Sequence, residues 1–346
     1  MGSTQRGGHG ATIYSVAERA GVSIASVSRV LQGSSAVSDA TRAKVLAAVD
    51  ELNYVPLGAA RSLAVRQHEA HGLVLPELTG PYYAELLLGF ETRAAELGQS
   101  VVLVLTEGKR DLARTLRQLA TRVDGLAILG ASSLPDAALR GVRGSKPVIL
   151  IAGDAQPDVE AVGAENEGSA RELTAHLFDH GRKRLLFVGD PDTAADVRDR
   201  YRGFVAAHRA RRRKAAEPVR TAFREEDGAA FAQRVLDGEV EADALFCAND
   251  ELALSVMHTL QDGGLDVPGD IAVVGWDDVM TARYVRPGLT TVRQPVRELG
   301  ALVAERLHER VAGFPPKEGR QVLPTEVVLR SSCGCPPHPH LPSHPS

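Results

Sequence analysis

Two hydrophobic rhythms divide the chain. Up to about residue 52, apolar positions recur at helical spacing in short bursts. Ile13, Val16, Ala17 and Ala20 fall at i, i+3, i+4 and i+7, one inward stripe of a short helix. Val27, Val30 and Leu31 give a second, and Val45, Val49 and Leu52 a third. Gly21 stands between the first two helices, where a sharp turn needs a residue that tolerates positive φ. Ser23 and Ser38 stand where helices two and three need caps, with Asp39 favourable in the third helix's first turn. From His71 onward the pattern becomes continuous apolar runs alternating with amphipathic stretches. GLVLPEL, SVVLVLTEG, VDGLAILG, PVILIAGD, KRLLFVGD, ADALFCAND and IAVVGWDDV read as buried strands. PYYAELLLGFETRAAELG, DLARTLRQLATR, GSARELTAHLFDHG and ELALSVMHTLQDGG read as helices. This alternation predicts parallel sheets covered on both faces. The length suits two such units, with ligand sites at the carboxyl ends of the strands.

The second helix has an informative outer face. Ile24, Ala25, Ser28 and Arg29 point outward together, while Ala17, Gly21 and Val27 have the spacing of a helix-turn-helix. Small groups at the crossing let two helices approach closely, so that the second can lie in a major groove. Arg29 can reach a phosphate or the acceptor edge of guanine, and Ile24 and Ala25 offer apolar contact such as a thymine methyl accepts. Thr41 and Arg42, near the start of helix three, can hold phosphate, and Tyr54 closes the small cluster. Pro56 ends the helical region. The short, small and basic run that follows cannot hold a helix alone, because isolated helices of this length are marginal.

The stretches TIYSVAERAGVS, SVSRVLQG and VSDATRAKVLAAVDELNYVP resemble the DNA-binding headpiece of the lactose-repressor (LacI/GalR) family of bacterial transcription regulators. The resemblance continues through LPELTGPYYAELLLGFE, VGAENEGSARELTAHLFDHGRKRLLFVGDP, DVRDRYRGF, LFCANDELAL, DVPGDIAVVGWDDV, LTTVRQPVRELG and LPTEVVLRSSC, roughly residues 12 to 333. It implies an α/β protein: an N-terminal all-α helix-turn-helix headpiece plus a periplasmic-binding-protein-like effector domain of two doubly wound parallel-sheet subdomains. The expected organisation is a flexible leader (1–11), the DNA-binding domain (12–57), a hinge helix or linker (58–68), an effector-binding and dimerisation domain (69–331) and a disordered tail (332–346). Subdomain one would take about 70–162 and 291–320, and subdomain two about 163–290 and 321–331.

The implied DNA-contacting set is Thr12, Ser23, Ile24, Ala25, Ser26, Ser28, Arg29, Thr41 and Tyr54, with Ala60 and Leu63 in the hinge. Ala60 matches the family's small contact residue, and Leu63 the apolar wedge that opens a base step in the minor groove. For the effector, Arg200 in DVRDRYRGF is expected ahead of a helix, Asn249 at the end of one strand and Asp277 at the end of another. A guanidinium, an amide and a carboxylate converging on a cleft suit a polyhydroxylated ligand, and Tyr82, Tyr83 and Phe223 are candidate apolar walls for a sugar face. Of Asn249–Asp250, one residue is expected to cap the next helix and the other to face the cleft; Asp277 and Asp278 should divide similarly. Ala152 and Glu165 stand where many relatives carry Asp, so no well-studied member's effector carries over.

Composition narrows the rest. The chain has 346 residues and a net charge of −4, but residues 1–67 hold seven Arg/Lys against four acids, a basic head on an acidic body. No run approaches the about 18 apolar residues of a membrane span, and the leader MGSTQRGGHG is polar, which favours a cytoplasmic protein. The three Cys form no disulfide framework. RARRRK (209–214) ends a helix and reads as a solvated face. The tail CGCPPHPHLPSHPS, with Cys333, Cys335, His338, His340 and His344, matches no structural zinc spacing and reads as disordered, so no metal is expected. No catalytic motif and no cofactor motif appear. The expected partners are double-stranded DNA as a near-palindromic operator, a small effector of carbohydrate type and a second copy of the chain. A leucine heptad for tetramers is missing. Whether effector weakens DNA binding, or a ligand or protein co-regulator strengthens it, is open at this point, as is the simpler alternative of a sugar-binding protein without regulation.

Overall fold

The computed structural model describes residues 11–31, 34, 36–54, 68–130 and 136–336. The chain falls into two compact units, 1–68 and 69–346.

The first unit is built from α1 (Ile13–Ala20), α2 (Ile24–Leu31) and α3 (Asp39–Glu51). Thr12 opens α1 with a capping box: its hydroxyl accepts from Ser15 N at 3.3 Å, and Ser15 Oγ accepts from Thr12 N at 2.8 Å. Gly21 closes the helix at φ 63°, a left-handed conformation, and its N–H reaches the Ala17 and Glu18 carbonyls. Ser23 then starts α2 by accepting from Ser26 N at 3.2 Å, and Ser38 starts α3 by accepting from Thr41 N at 3.4 Å. The core is Val16, Ala17, Val27, Val30, Val45 and Ala48, flanked by Ile13, Ala20, Leu31, Val49, Leu52 and Tyr54. The stripes read from the sequence are therefore the faces that pack.

The second unit holds two sheets. In the first, β1 (Ala70–Leu75), β2 (Ser100–Leu105), β3 (Gly125–Leu129), β4 (Val148–Ile151), β5 (Glu160–Ala164) and β10 (Arg320–Leu323) run parallel in the order β10-β5-β4-β3-β1-β2. Strands β1, β4 and β5 are buried throughout, as apolar strands covered on both faces must be. One face is covered by α5 (Leu112–Ala120) and α6 (Asp136–Arg143), the other by α4 (Pro81–Glu96) and α12 (Val296–Val311). Helices α4 and α12 touch through glycine: a Cβ on Gly89 would collide with Arg297 O, and one on Gly300 with Leu86 O.

The second sheet is parallel, β6 (Leu185–Val188), β7 (Ala244–Cys247) and β8 (Ala272–Val274), in the order β6-β7-β8. Bridges Val274–Thr290 and Asp277–Arg293 join it to β9 (Thr291–Arg293), which pairs antiparallel with β11 (Glu326–Val328). It is packed by α7 (Glu167–Asp179), α8 (Ala195–Ala210), α9 (Glu225–Leu236), α10 (Asp250–Asp262) and the short α11 (Thr281–Tyr284).

The chain thus passes between the sheets three times, near 165–166, 294–295 and 324–325. These points lie a few residues beyond the expected boundaries. Strand pairing sets them: β9 continues the second sheet, and Arg320–Leu323 pairs with Ala161–Ala164 in the first. A second difference concerns the expected tail. Ser331–Cys333 form a 3-10 turn in which Ser332 and Cys333 are buried, because Ser332 Oγ bridges Val273 O and Thr290 N. The ordered chain therefore runs past residue 332.

Candidate functional site

In the first unit, Ile24, Ala25 and Arg29 are exposed on one face of α2, Ile24 to 42%, and Ser28 lies half-buried beside them. Ile24 is one of the few large apolar side chains exposed among the described residues of this unit, and it lies on the same face as Arg29. Ser23 and Ser26 share a hydroxyl contact of 2.9 Å at the start of this helix, and Thr41 and Ser38 share one of 3.0 Å at the start of α3. Thr12 is the N-cap of α1. Tyr54 is half-buried against the head core, its N–H donating to Val49 O. Ala60 and Leu63 lie outside the described residues, as do His338, His340 and His344.

In the second unit a cleft separates the sheets. Arg200 lies within α8, in its second turn, and not ahead of a helix as the sequence suggested. The start of α8 is disguised by a polar DVRDR run after Ala194, which supplies no capping side chain. Arg200 is 4% exposed and held on three sides. Its Nε donates to Asn166 Oδ1 at 2.8 Å, one terminal nitrogen to Ala248 O at 2.6 Å and the other to Asp196 Oδ2 at 3.1 Å, while its plane lies 4.7 Å from the Trp276 ring. Two of its five N–H groups stay available after these bonds. Asn166 is free to hold Arg200 because Glu165 caps α7 instead, accepting from Gly168 N at 2.5 Å and Ser169 N at 2.9 Å.

Asp277 accepts from Gln294 Nε2 at 2.5 Å. Burial raises its carboxyl well above the usual range, opposed by the charge of Arg200. Its backbone sits at φ 120° and that of Asp278 at φ 55°, a strained pair that costs on the order of 1–3 kcal/mol per residue. The two carboxylates take different partners: Asp277 meets Gln294, on the crossover between the subdomains, and Asp278 does not. Asp278 turns inward to the guanidiniums of Arg293, at 2.7 Å, and Arg330. Tyr82, from α4 of the other subdomain, has its phenol raised first by burial and then by Asp196 and Asp277, which locates all three in one neighbourhood. Tyr83 packs edge-on against Tyr82 at 5.6 Å.

Of Asn249 and Asp250, the first takes the expected capping role, but the second does not face the cleft as expected, because its carboxylate turns into the core. Asn249 Oδ1 caps α10 by accepting from Leu252 N at 3.1 Å, while its amide donates to Phe223 O at 3.3 Å and to Glu251. Asp250 is fully buried, bonded to Thr291 Oγ1 and Val279 N, and desolvation raises it to about 7. Phe223 lines a cavity of about 740 Å³ shared by both subdomains, with Glu77, Thr79, Glu107, Arg224 and Glu251 around it. Glu107 and Arg224 pair across its mouth, and Arg198 grips Asp154 with two bonds of 2.8 and 2.9 Å. The structure therefore brings Arg200, Asp277 and Tyr82 together, with Tyr83 beside them. It sets Asn249 and Phe223 together a little further along. Asp196, Asn166, Trp276 and Gln294 join the site without having stood out in the sequence. Of these only Asp196 carried a local signal, an acid four residues before an arginine on one helix.

A helix-turn-helix head joined to a two-lobed domain with a polar cleft defines a ligand-responsive DNA-binding regulator. Comparison with known proteins agrees. Residues 12–56 match the family described as bacterial regulatory proteins, lacI family, and residues 174–333 match the periplasmic binding protein-like domain. The HTH-type transcriptional repressor PurR of Photobacterium profundum is 32% identical over 337 residues, covering 93% of this chain and 98% of the relative. Among solved structures, the lac repressor dimer bound to operator and the anti-inducer ONPF is 30% identical with a TM-score of 0.85, covering 94% of this chain and 99% of that one. The transcriptional regulator CelR in complex with cellobiose is 32% identical with a TM-score of 0.70, covering 93% and 99%. This chain belongs to the lacI family of bacterial regulatory proteins. It is a DNA-binding transcription regulator and not an enzyme. Among the described residues no helix is long and apolar enough to cross a membrane.

Proposed function

We propose that the protein is a cytoplasmic, homodimeric repressor that binds a near-palindromic operator and whose DNA affinity is set by a sugar or sugar derivative in the cleft. The observation that carries the reading is the convergence of Arg200, Asp196 and Asp277 under Tyr82. Fixed polar donors and acceptors beside an aromatic wall are what vicinal hydroxyls and the apolar face of a sugar ring require. The relatives support the class: one solved neighbour holds cellobiose and another an operator.

In this account residues 12–57 form the DNA-reading head. Ile24, Ala25, Ser28 and Arg29 face the major groove, and Thr12, Ser23, Ser26, Thr41 and Tyr54 stand near the backbone. Residues 58–68 form the hinge, in which Ala60 and Leu63 of two protomers meet and Leu63 wedges the centre of the operator. Residues 69–331 bind effector. Gln294 lies on a crossover between the subdomains and touches Asp277, so a ligand that engages Asp277 acts where the two lobes join. By linkage, operator then changes effector affinity by the same factor. A thermal-shift screen against a panel of mono- and disaccharides, followed by operator titration with each hit, tests this reading. A sugar that raises the melting temperature and shifts operator affinity supports it. A complete panel with neither effect counts against the carbohydrate assignment.

A further inference from the structure

We propose that His176, His180, Cys333 and Cys335 form a structural zinc site that staples the C-terminal segment to the end of α7. The tail cysteines looked unstructured in sequence, grouped with the histidines beyond residue 336. In the fold they meet two other histidines. His176 lies in the last turn of α7 and His180 follows at its C-cap, so the i, i+4 spacing puts both rings on one side, with centroids 4.4 Å apart. The Cys-Gly-Cys turn brings both sulfurs to them. His176 Nε2 is 3.3 Å from Cys333 Sγ and 3.4 Å from Cys335 Sγ, and His180 Nε2 is 3.4 Å from Cys335 Sγ.

All four ligand atoms lie within 4.8 Å of one another. Around a tetrahedral zinc, bonds of about 2.3 Å to sulfur and 2.0–2.1 Å to nitrogen separate S from N by about 3.5 Å. The three S–N distances are within a few tenths of an ångström of that value. Three of the six pairwise separations in the cluster thus already match a tetrahedral metal site.

Three further features fit. All three cysteines are free thiols, so neither sulfur is consumed in a disulfide. Gly334 between them sits at φ 107°, where a side chain is disfavoured, and a Cβ there would stand 3.2 Å from His180 Nδ1. Thr290 Oγ1 lies 3.1 Å from the buried Cys333 Sγ and 2.9 Å from Arg330 O, so its one proton is shared between a carbonyl and a sulfur that a thiolate would hold more strongly. Two thiolates and two neutral imidazoles carry a charge of −2, which a divalent ion cancels; this matters because Cys333 is fully buried. A mixed sulfur and nitrogen donor set selects zinc among common divalent ions, and four protein ligands leave no open position, so the role is structural. The segment held in this way also carries Arg330, whose guanidinium binds Asp278, the neighbour of Asp277 in the cleft.

The test uses the full untagged chain purified under reducing conditions without chelator. Elemental analysis is expected to give one zinc per chain. Cobalt substitution should give the strong visible bands of a tetrahedral site and a near-ultraviolet thiolate charge-transfer band. His180 is exposed, so His180→Ala should keep the fold, checked by circular dichroism and elution volume. It should weaken zinc binding by more than about 100-fold, beyond the loss from an outer-shell residue. The triple variant H338Q/H340Q/H344Q should keep full metal content. Substoichiometric zinc, a cobalt spectrum without thiolate character, or metal lost with the triple variant and kept in His180→Ala each overturns the proposal. None of these outcomes depends on effector or operator binding.

Discussion

The strand that opens the second unit carries a histidine where an apolar residue would be expected, and its cost can be worked out. His71, on β1, is fully buried between Phe90 and His308, with ring centroids at 6.3 and 6.0 Å, and neither of its ring nitrogens has a partner among the described residues. Burial first, and then the nearby His308, lowers its pKa from 6.5 to about 4. The imidazole is thus neutral in the fold while the unfolded chain takes up a proton below pH 6.5. Stability is unaffected above that pH, falls as pH drops, and levels off only below pH 4. A gap of about 2.5 units is worth about 3 kcal/mol in full, and about 2 kcal/mol at pH 5. His71→Phe keeps a ring in place and removes the titration. Its stability at pH 7.5 can move either way, because a lost unsatisfied polar group opposes some overpacking. The change between pH 7.5 and pH 5 is the diagnostic quantity. Urea unfolding of both proteins should show the wild type losing about 2 kcal/mol more than the variant over that interval. Parallel pH profiles would refute the reasoning and mean that His71 is solvated or protonated in the native state.

Three predictions concern function. Asp277→Asn keeps the bond from Gln294 but replaces a carboxylate acceptor; sugar-induced change in operator affinity, read by fluorescence anisotropy, should need about 10–100-fold more sugar, as loss of about 1.5–3 kcal/mol implies, while operator binding without sugar is unchanged. A normal response removes Asp277 from the site. Arg29→Ala should cost about 1–3 kcal/mol at one base pair if its contact is bidentate to guanine; a uniform loss over all operator variants makes it a phosphate contact. Leu63→Ala should weaken operator binding more than random-duplex binding, and equal losses in competition titrations rule out the wedge.

The head was readable from sequence because its determinants are local. Thr12, Gly21, Ser23 and Ser38 act on neighbours within a few residues, and the Val16, Val27 and Val45 stripes are periodic. The buried strands were readable for the same reason. Other elements lacked a local signal. Helices α8 and α9 begin after Ala194 and Arg224, neither of which caps through its side chain. Strand β5 contains Glu160, which is tolerable in the core because Arg306, 146 positions away, pairs with it at 2.6 Å and Gln321 and Lys317 N also donate to it. The cleft divides along the same line. Arg200 and Asp277 stood out by residue type and position, whereas Asn166, Trp276 and Gln294 matter through contacts that only the folded chain makes. The Cys and His cluster is the extreme case, since each half is inconspicuous until α7 and the C-terminal turn are side by side.

The central claim is that one chain reads an inverted repeat and reports a sugar. Anisotropy titration of a labelled inverted-repeat duplex and a scrambled duplex of the same composition, at fixed moderate salt and with or without a sugar found by thermal shift, tests it most directly. Specific binding should be tighter than nonspecific by about 10³-fold or more, with the sugar changing the specific affinity and leaving the nonspecific one nearly untouched. Equal affinity for both duplexes, insensitive to every sugar that stabilises the protein, would contradict it.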